Sequence, residues 1–200
     1  MAPVQEDRSA LQDGLRRTAV ALTDAGIPFA LVGGYAAWAR GAPEPSHDAD
    51  FAIMESDVDR AKEVLAEGGL DVRQPAENWL FKAFHEGQLV DVLYRMVGRP
   101  VTPELLADTD ELEVLAVRMP VLRATPLVSA KLQVLGEHHL DLTWLLPTAR
   151  ALREQIDWDR VRREVGDHPY ARAFLFLVDE LGITGSAPAD SADVEPGRAD

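Results

Sequence analysis

The run Phe29-Ala30-Leu31-Val32-Gly33-Gly34-Tyr35-Ala36-Ala37-Trp38-Ala39-Arg40 constrains this chain more than any other segment. Four apolar residues suit a buried strand, the glycine pair suits a tight turn, and the alanine-rich stretch after it favours helix. A strand that turns straight into a helix belongs to a sheet with helices packed on it. A second strand is expected at Asp48-Ala49-Asp50-Phe51-Ala52-Ile53. Alternation along it puts Ala49, Phe51 and Ile53 on the core face and brings Asp48 and Asp50 together on the other.

These residue types have a definite chemistry. Without Cβ atoms, Gly33 and Gly34 let backbone N–H groups approach a phosphate, and the helix that follows adds its partial positive charge. The spacing is neither that of a Walker loop nor that of a dinucleotide fingerprint. Two neighbouring carboxylates repel and are costly to desolvate unless a cation neutralises them, and Mg²⁺ prefers such oxygen ligands. A third acid, Asp91, interrupts the apolar run Gln88-Leu89-Val90-Asp91-Val92-Leu93-Tyr94. Its burial cost implies that this part of the strand opens onto a site, where a carboxylate can serve as metal ligand or general base.

Gly33-Gly34, then Asp48-x-Asp50, then Asp91 within an apolar strand together resemble the DNA polymerase β-like nucleotidyltransferase superfamily, especially its small bacterial members. The resemblance is strong over residues 25–95 and loose beyond them. It implies an α/β (α+β) fold, with a mixed β-sheet core, flanking helices and a mostly helical C-terminal part. It further implies that Asp48 and Asp50 bind Mg²⁺ and a nucleoside triphosphate, with Gly33 and Gly34 at the phosphates. Asp91 would join the metal site and activate an acceptor hydroxyl, which receives a nucleoside monophosphate as pyrophosphate leaves. Lys131, in the apolar stretch Leu127-Val128-Ser129-Ala130-Lys131-Leu132, matches a helix lysine that reaches a nucleotide phosphate in related enzymes, with Asp141 as the acid that follows it; a surface lysine is the alternative. The family commonly has Arg and Thr four and two residues before the first aspartate. Here Glu44 and Ser46 stand there, so Arg40 or Arg95 becomes the candidate replacement for the missing cation.

Residues 1–8 read as a flexible start, 9–100 as the nucleotidyltransferase core, 101–184 as the remaining strands and helical part, and 185–200 as a disordered tail. Ser9 is a plausible N-cap for a helix over residues 9–25, and residues 58–65 form another. Residues 78–84 and 88–96 read as a hairpin across Glu86-Gly87. A short helix is expected at residues 103–107, strands at 112–117 and 121–123, and then helices. Thr125-Pro126 would start the first of these, through Lys131 and Leu135. Residues 140–146 continue it or begin a second, followed by 148–156, 157–165 and 170–181.

A hydrophobic content of 46% over 200 residues suffices for a proper core, and the absence of cysteine excludes disulfides, zinc–thiolate sites and thiol redox chemistry. No apolar run approaches membrane-spanning length, and the N-terminus has no signal-like pattern, so a cytoplasmic protein without a membrane is expected. With 34 acidic and 20 basic residues the net charge is −14, which opposes duplex DNA binding. Arg150, Arg153, Arg160, Arg162 and Arg163 could still gather for an RNA end, although a helix face paired with Glu154, Asp157, Asp159 and Glu164 is favoured. The acceptor is then a small molecule or an RNA, with a toxin-type action on tRNA or protein as the alternative. Glu44 motivates another alternative, a catalytically silent nucleotide-binding or regulatory module. His47 is read as structural, His138 and His139 are not spaced as a helical zinc pair, and Trp38, Trp79 and Trp144 are assigned to the core.

Overall fold

The computed structural model describes residues 3–45, 47–138, 140 and 142–185, with side chains from residue 8 onward. Helix α1 (Pro3–Asp24) starts well before Ser9, which is therefore an interior residue and not its N-cap. It leads into β1 (Phe29–Val32), α2 (Gly33–Ala39), β2 (Asp48–Ile53), α3 (Val58–Glu67) and β3 (Asp71–Arg73). Then come β4 (Leu80–His85), β5 (Gln88–Leu93), the short ribbon of β6 (Arg95–Met96) and β7 (Arg99–Pro100), and α4 (Pro103–Ala107). The hairpin β8 (Thr109–Val114) and β9 (Val117–Leu122) precedes α5 (Ala124–Gln133), α6 (Leu142–Leu152), α7 (Trp158–Val165) and α8 (Pro169–Glu180).

Seven strands make one mixed sheet in the order β3-β4-β5-β2-β1-β9-β8. β2 is antiparallel to β1 and parallel to β5, so it sits in the middle of the sheet. Alternation then works as the sequence implies. Ala49, Phe51 and Ile53 are fully buried, together with Val90 and Val92 of β5, against Leu11, Leu15 and Leu22 of α1. Helix α3 joins α1 on that face, where Lys62 lies over the Phe81 ring. The opposite face keeps Asp48 and Asp50.

A second apolar cluster is built by α5 to α8 around Val128, Leu132, Leu145, Leu152, Val161 and Phe174. The short α2 belongs to both clusters: Tyr35 and Ala36 pack into the sheet core and Ala37 into the helical part. The glycine turn at its start is thereby held at the junction of the two. Among the described residues no helix is long and apolar enough to cross a membrane.

Several boundaries differ from the sequence reading. The strand expected at residues 112–117 is two strands, because Leu115 and Ala116 form a turn with positive φ (52° and 63°). Neither residue carries a turn signature. Thr125 does not cap α5, whose N-cap is Arg123; its hydroxyl instead accepts a hydrogen bond from the Asp157 N–H at 2.9 Å, tying α5 to the start of α7. Helix α5 stops at Gln133, short of Leu135. Residues 142–152 are one helix that runs through Pro147, because buried Leu145, Thr148, Ala149 and Leu152 hold both halves against the same core despite the lost backbone bond. Ser46, His139, Asp141 and residues 186–200, nearly all of the tail, lie outside the described residues.

Candidate active site

β2 and β5 run parallel with Asp50 directly opposite Asp91, so the three acids share one sheet face. Asp48, Asp50 and Asp91 each offer a carboxylate oxygen, and these oxygens lie within 4.8 Å of one another. Asp91 is 9% exposed and stands on β5, an interior strand between β4 and β2, and not on a sheet edge. Burial and the adjacent Asp48 and Asp91 charges push the Asp50 carboxyl up to about 8, against the attraction of Lys131 and a hydrogen bond from the Gly34 N–H. Burial also raises Asp91, opposed by its Lys82 partner. Three mutually repelling oxygens with this little solvent form the donor set that a hard divalent cation accepts.

The glycine turn is wrapped around Asp50. Gly33 has φ +62°, and a Cβ built on it would lie 2.0 Å from Asp50 Oδ2. A side chain at Gly34 would instead strike Pro45, at 2.8 Å from its Cβ, with the Trp144 indole nitrogen 4.0 Å away. Gly33 is thus needed to admit a carboxylate, and Gly34 to admit the loop leading into β2. Gly33→Ala is expected to push Asp50 out of the cluster. The variant should lose divalent-cation affinity by roughly tenfold or more while its melting temperature falls only a few degrees, as calorimetric Mn²⁺ titration and thermal melts would show.

Lys82 is the residue that sequence reasoning missed. It stands opposite Asp91 in the β4–β5 hairpin, and its ammonium contacts Asp91 Oδ1 at 3.1 Å. A signal was present, since the Glu86-Gly87 turn pairs His85 with Gln88, and counting three residues back along each strand sets Lys82 against Asp91. Lys131 projects from α5 with its ammonium 5.3 Å from the Trp144 ring centroid, and its charge favours the ionised form of Asp50. Trp144, partly buried beside the turn, packs against the helical cluster. Trp79 is 43% exposed and outside the core, whereas partly buried Trp38 packs against the sheet core. His47 is exposed just before β2.

Glu44 is occupied elsewhere. Its carboxylate is paired with Arg8 and accepts a hydrogen bond from the Gln12 side chain at 3.0 Å, both from α1. The charge reversal is therefore neutralised by the first helix. Neither proposed replacement cation faces the carboxylates. Arg40 donates to the carbonyls of Leu122 and Val121 at 2.7 Å and pairs with Asp110, which locks α2 to β9 and β8. Arg95 pairs with Glu55 at 3.3 Å. In the arginine cluster, Arg160 pairs with Glu164 and Asp108, Arg162 with Asp179, and Arg153 with Glu154, as expected of a salt-bridged helix surface.

No family model matches the chain, and no curated protein matches its sequence. Solved structures do match its fold. The solution structure of the antibiotic-resistance factor ANT(2'')-Ia aligns with a TM-score of 0.61 at 12% identity, covering 82% of this chain and 94% of that one. The crystal structure of ANT(2'')-Ia in complex with adenylyl-2''-tobramycin aligns with a TM-score of 0.54 at 13% identity, covering 82% and 95%. With its glycine turn leading from β1 into α2 and its three carboxylates on β2 and β5, the chain shares the fold of ANT(2'')-Ia.

Proposed function

We propose that the protein is a Mg²⁺-dependent nucleotidyltransferase that moves a nucleoside monophosphate from a nucleoside triphosphate to a hydroxyl of a small-molecule acceptor. The observation that carries this reading is the Asp48–Asp50–Asp91 cluster beside a glycine turn, on the sheet face opposite α1. Bound by these three carboxylates, a divalent cation supplies the charge neutralisation that triphosphate binding and pyrophosphate departure require. Asp91 accepts the proton of the acceptor hydroxyl, whose oxygen forms a bond to the α-phosphorus while the bond from that phosphorus to the bridging oxygen of pyrophosphate breaks. Lys82 fixes the direction of the Asp91 carboxylate. Gly33 keeps the turn low over Asp50, Gly34 leaves room for the Pro45 loop, and Lys131 reaches the phosphates from the helical side.

Two further observations bear on acceptor and activity. The fold is shared with ANT(2'')-Ia, solved with an adenylylated small molecule, and the net charge of −14 opposes a nucleic-acid acceptor. The pairing of Glu44 with Arg8 and Gln12 neutralises its charge, which supports the enzyme reading over that of a catalytically silent module. The test is a pyrophosphate-release assay with Mg²⁺ and each of the four nucleoside triphosphates against a panel of hydroxylated metabolites, antibiotics and tRNA. Release that depends on a small molecule and disappears in Asp48→Asn is expected. Release only with tRNA would reassign the acceptor, and nucleotide binding without release would restore the binding-module reading.

A further inference from the structure

Helix α6 brings Trp144 beside the glycine turn, and no part of the reaction above uses it. Trp144 lies where the helical part meets the glycine turn, with its indole nitrogen 4.0 Å from the point a Gly34 Cβ would occupy. Its ring carries the Lys131 ammonium at 5.3 Å from the centroid. Lys131 is otherwise solvent-exposed on a four-carbon stem, so an unrestrained ammonium would spread over many rotamers. A ring face offers a cation a modest but directional attraction while leaving its N–H donors pointing away from the ring. The same ammonium is near enough for its charge to act on Asp50.

We infer that Trp144 is a positioning residue for the triphosphate, holding the Lys131 ammonium over the glycine turn so that it meets the phosphates without a search. The inference rests on the triphosphate site proposed above and names the residue through which α6 acts on it. Trp144 acts through Lys131, so its contribution belongs to phosphate binding and vanishes when Lys131 is absent.

The experiment measures Mg²⁺-dependent affinity for ATP and for inorganic tripolyphosphate, by calorimetry, in wild type, Trp144→Leu, Trp144→Phe, Lys131→Met and the Lys131→Met/Trp144→Leu double variant. Trp144→Leu is expected to weaken both ligands by roughly threefold to tenfold, the range for a partly exposed cation–π contact. Trp144→Phe, which keeps a ring face, should stay within about twofold of wild type. In the Lys131→Met background Trp144→Leu should add nothing. Should Trp144→Leu fail to fold, Trp144→Met takes its place in the cycle. Wild-type affinity in the aliphatic variant, an equal loss in both backgrounds, or a loss for ATP with none for tripolyphosphate overturns the inference. Asp48→Asn is the control that separates the two readings. If it loses binding while Trp144→Leu does not, the site stands and the inference falls; if wild type binds neither ligand, both fall.

Discussion

Asp91→Asn is expected to cut nucleotidyl transfer by roughly 10²-fold or more while leaving most of the nucleotide affinity in place. Asp91 is buried on an interior strand, and its Oδ1 is held by Lys82 at 3.1 Å. Asparagine has the same shape and keeps an oxygen for the lysine, so the variant should fold with wild-type stability. It loses the ability to take a proton from the acceptor hydroxyl, a change felt mainly in the transition state. The defect should therefore persist at saturating nucleotide and Mg²⁺, with kcat falling and KM for nucleotide moving little. Asp91→Ala provides a contrast, because it also strands the Lys82 ammonium and should melt lower. Wild-type transfer rates in Asp91→Asn would remove Asp91 from the chemistry and leave it a metal ligand at most.

How much of this arrangement was legible in the sequence depends on how local the governing physics is. Period-two alternation in residues 48–53 and the apolar run around Asp91 are local patterns, and they placed all three carboxylates on the correct strands and face. The β4–β5 hairpin was legible because Glu86 and Gly87 both take positive φ, and an Xaa-Gly pair announces such a turn. The β8–β9 hairpin was not, because Leu115 and Ala116 adopt the same conformation with side chains that read as strand. The start of α5 was misplaced because the Thr125 hydroxyl serves a distant backbone N–H and not its own helix end. Charges were the least legible feature. Glu44 looked like a defect in the phosphate site, and only the fold brings Arg8 and Gln12 to it; Arg40 looked available, and only the fold spends it on β9. Partners separated by more than thirty residues leave no trace in local spacing.

Asp50 gives the protein an unusual stability profile. In the folded protein its carboxyl is pushed up to about 8 by burial and by Asp48 and Asp91, against an ordinary value of 3.8. Between those two values the folded state keeps a proton that the unfolded chain has released, so folding takes up a proton and stability must fall as pH rises through that window. Asp91, raised by burial, acts in the same direction. Asp13 and Asp110, held low by their arginine partners, lose their contribution only at more acidic pH and leave the window clear. The metal-free protein is therefore expected to melt roughly 5 °C lower at pH 8 than at pH 5. Asp50→Asn should flatten this slope and be the more stable protein at pH 8. Mg²⁺ should stabilise the wild type at pH 8 by replacing the missing proton, do much less at pH 5 where the proton competes with it, and do little for Asp50→Asn at either pH. Thermal melts of both proteins across this range, with and without Mg²⁺, test the whole argument. A wild-type melting temperature that stays level or rises from pH 5 to pH 8 would show that Asp50 is already ionised and that the carboxylates do not compete for charge.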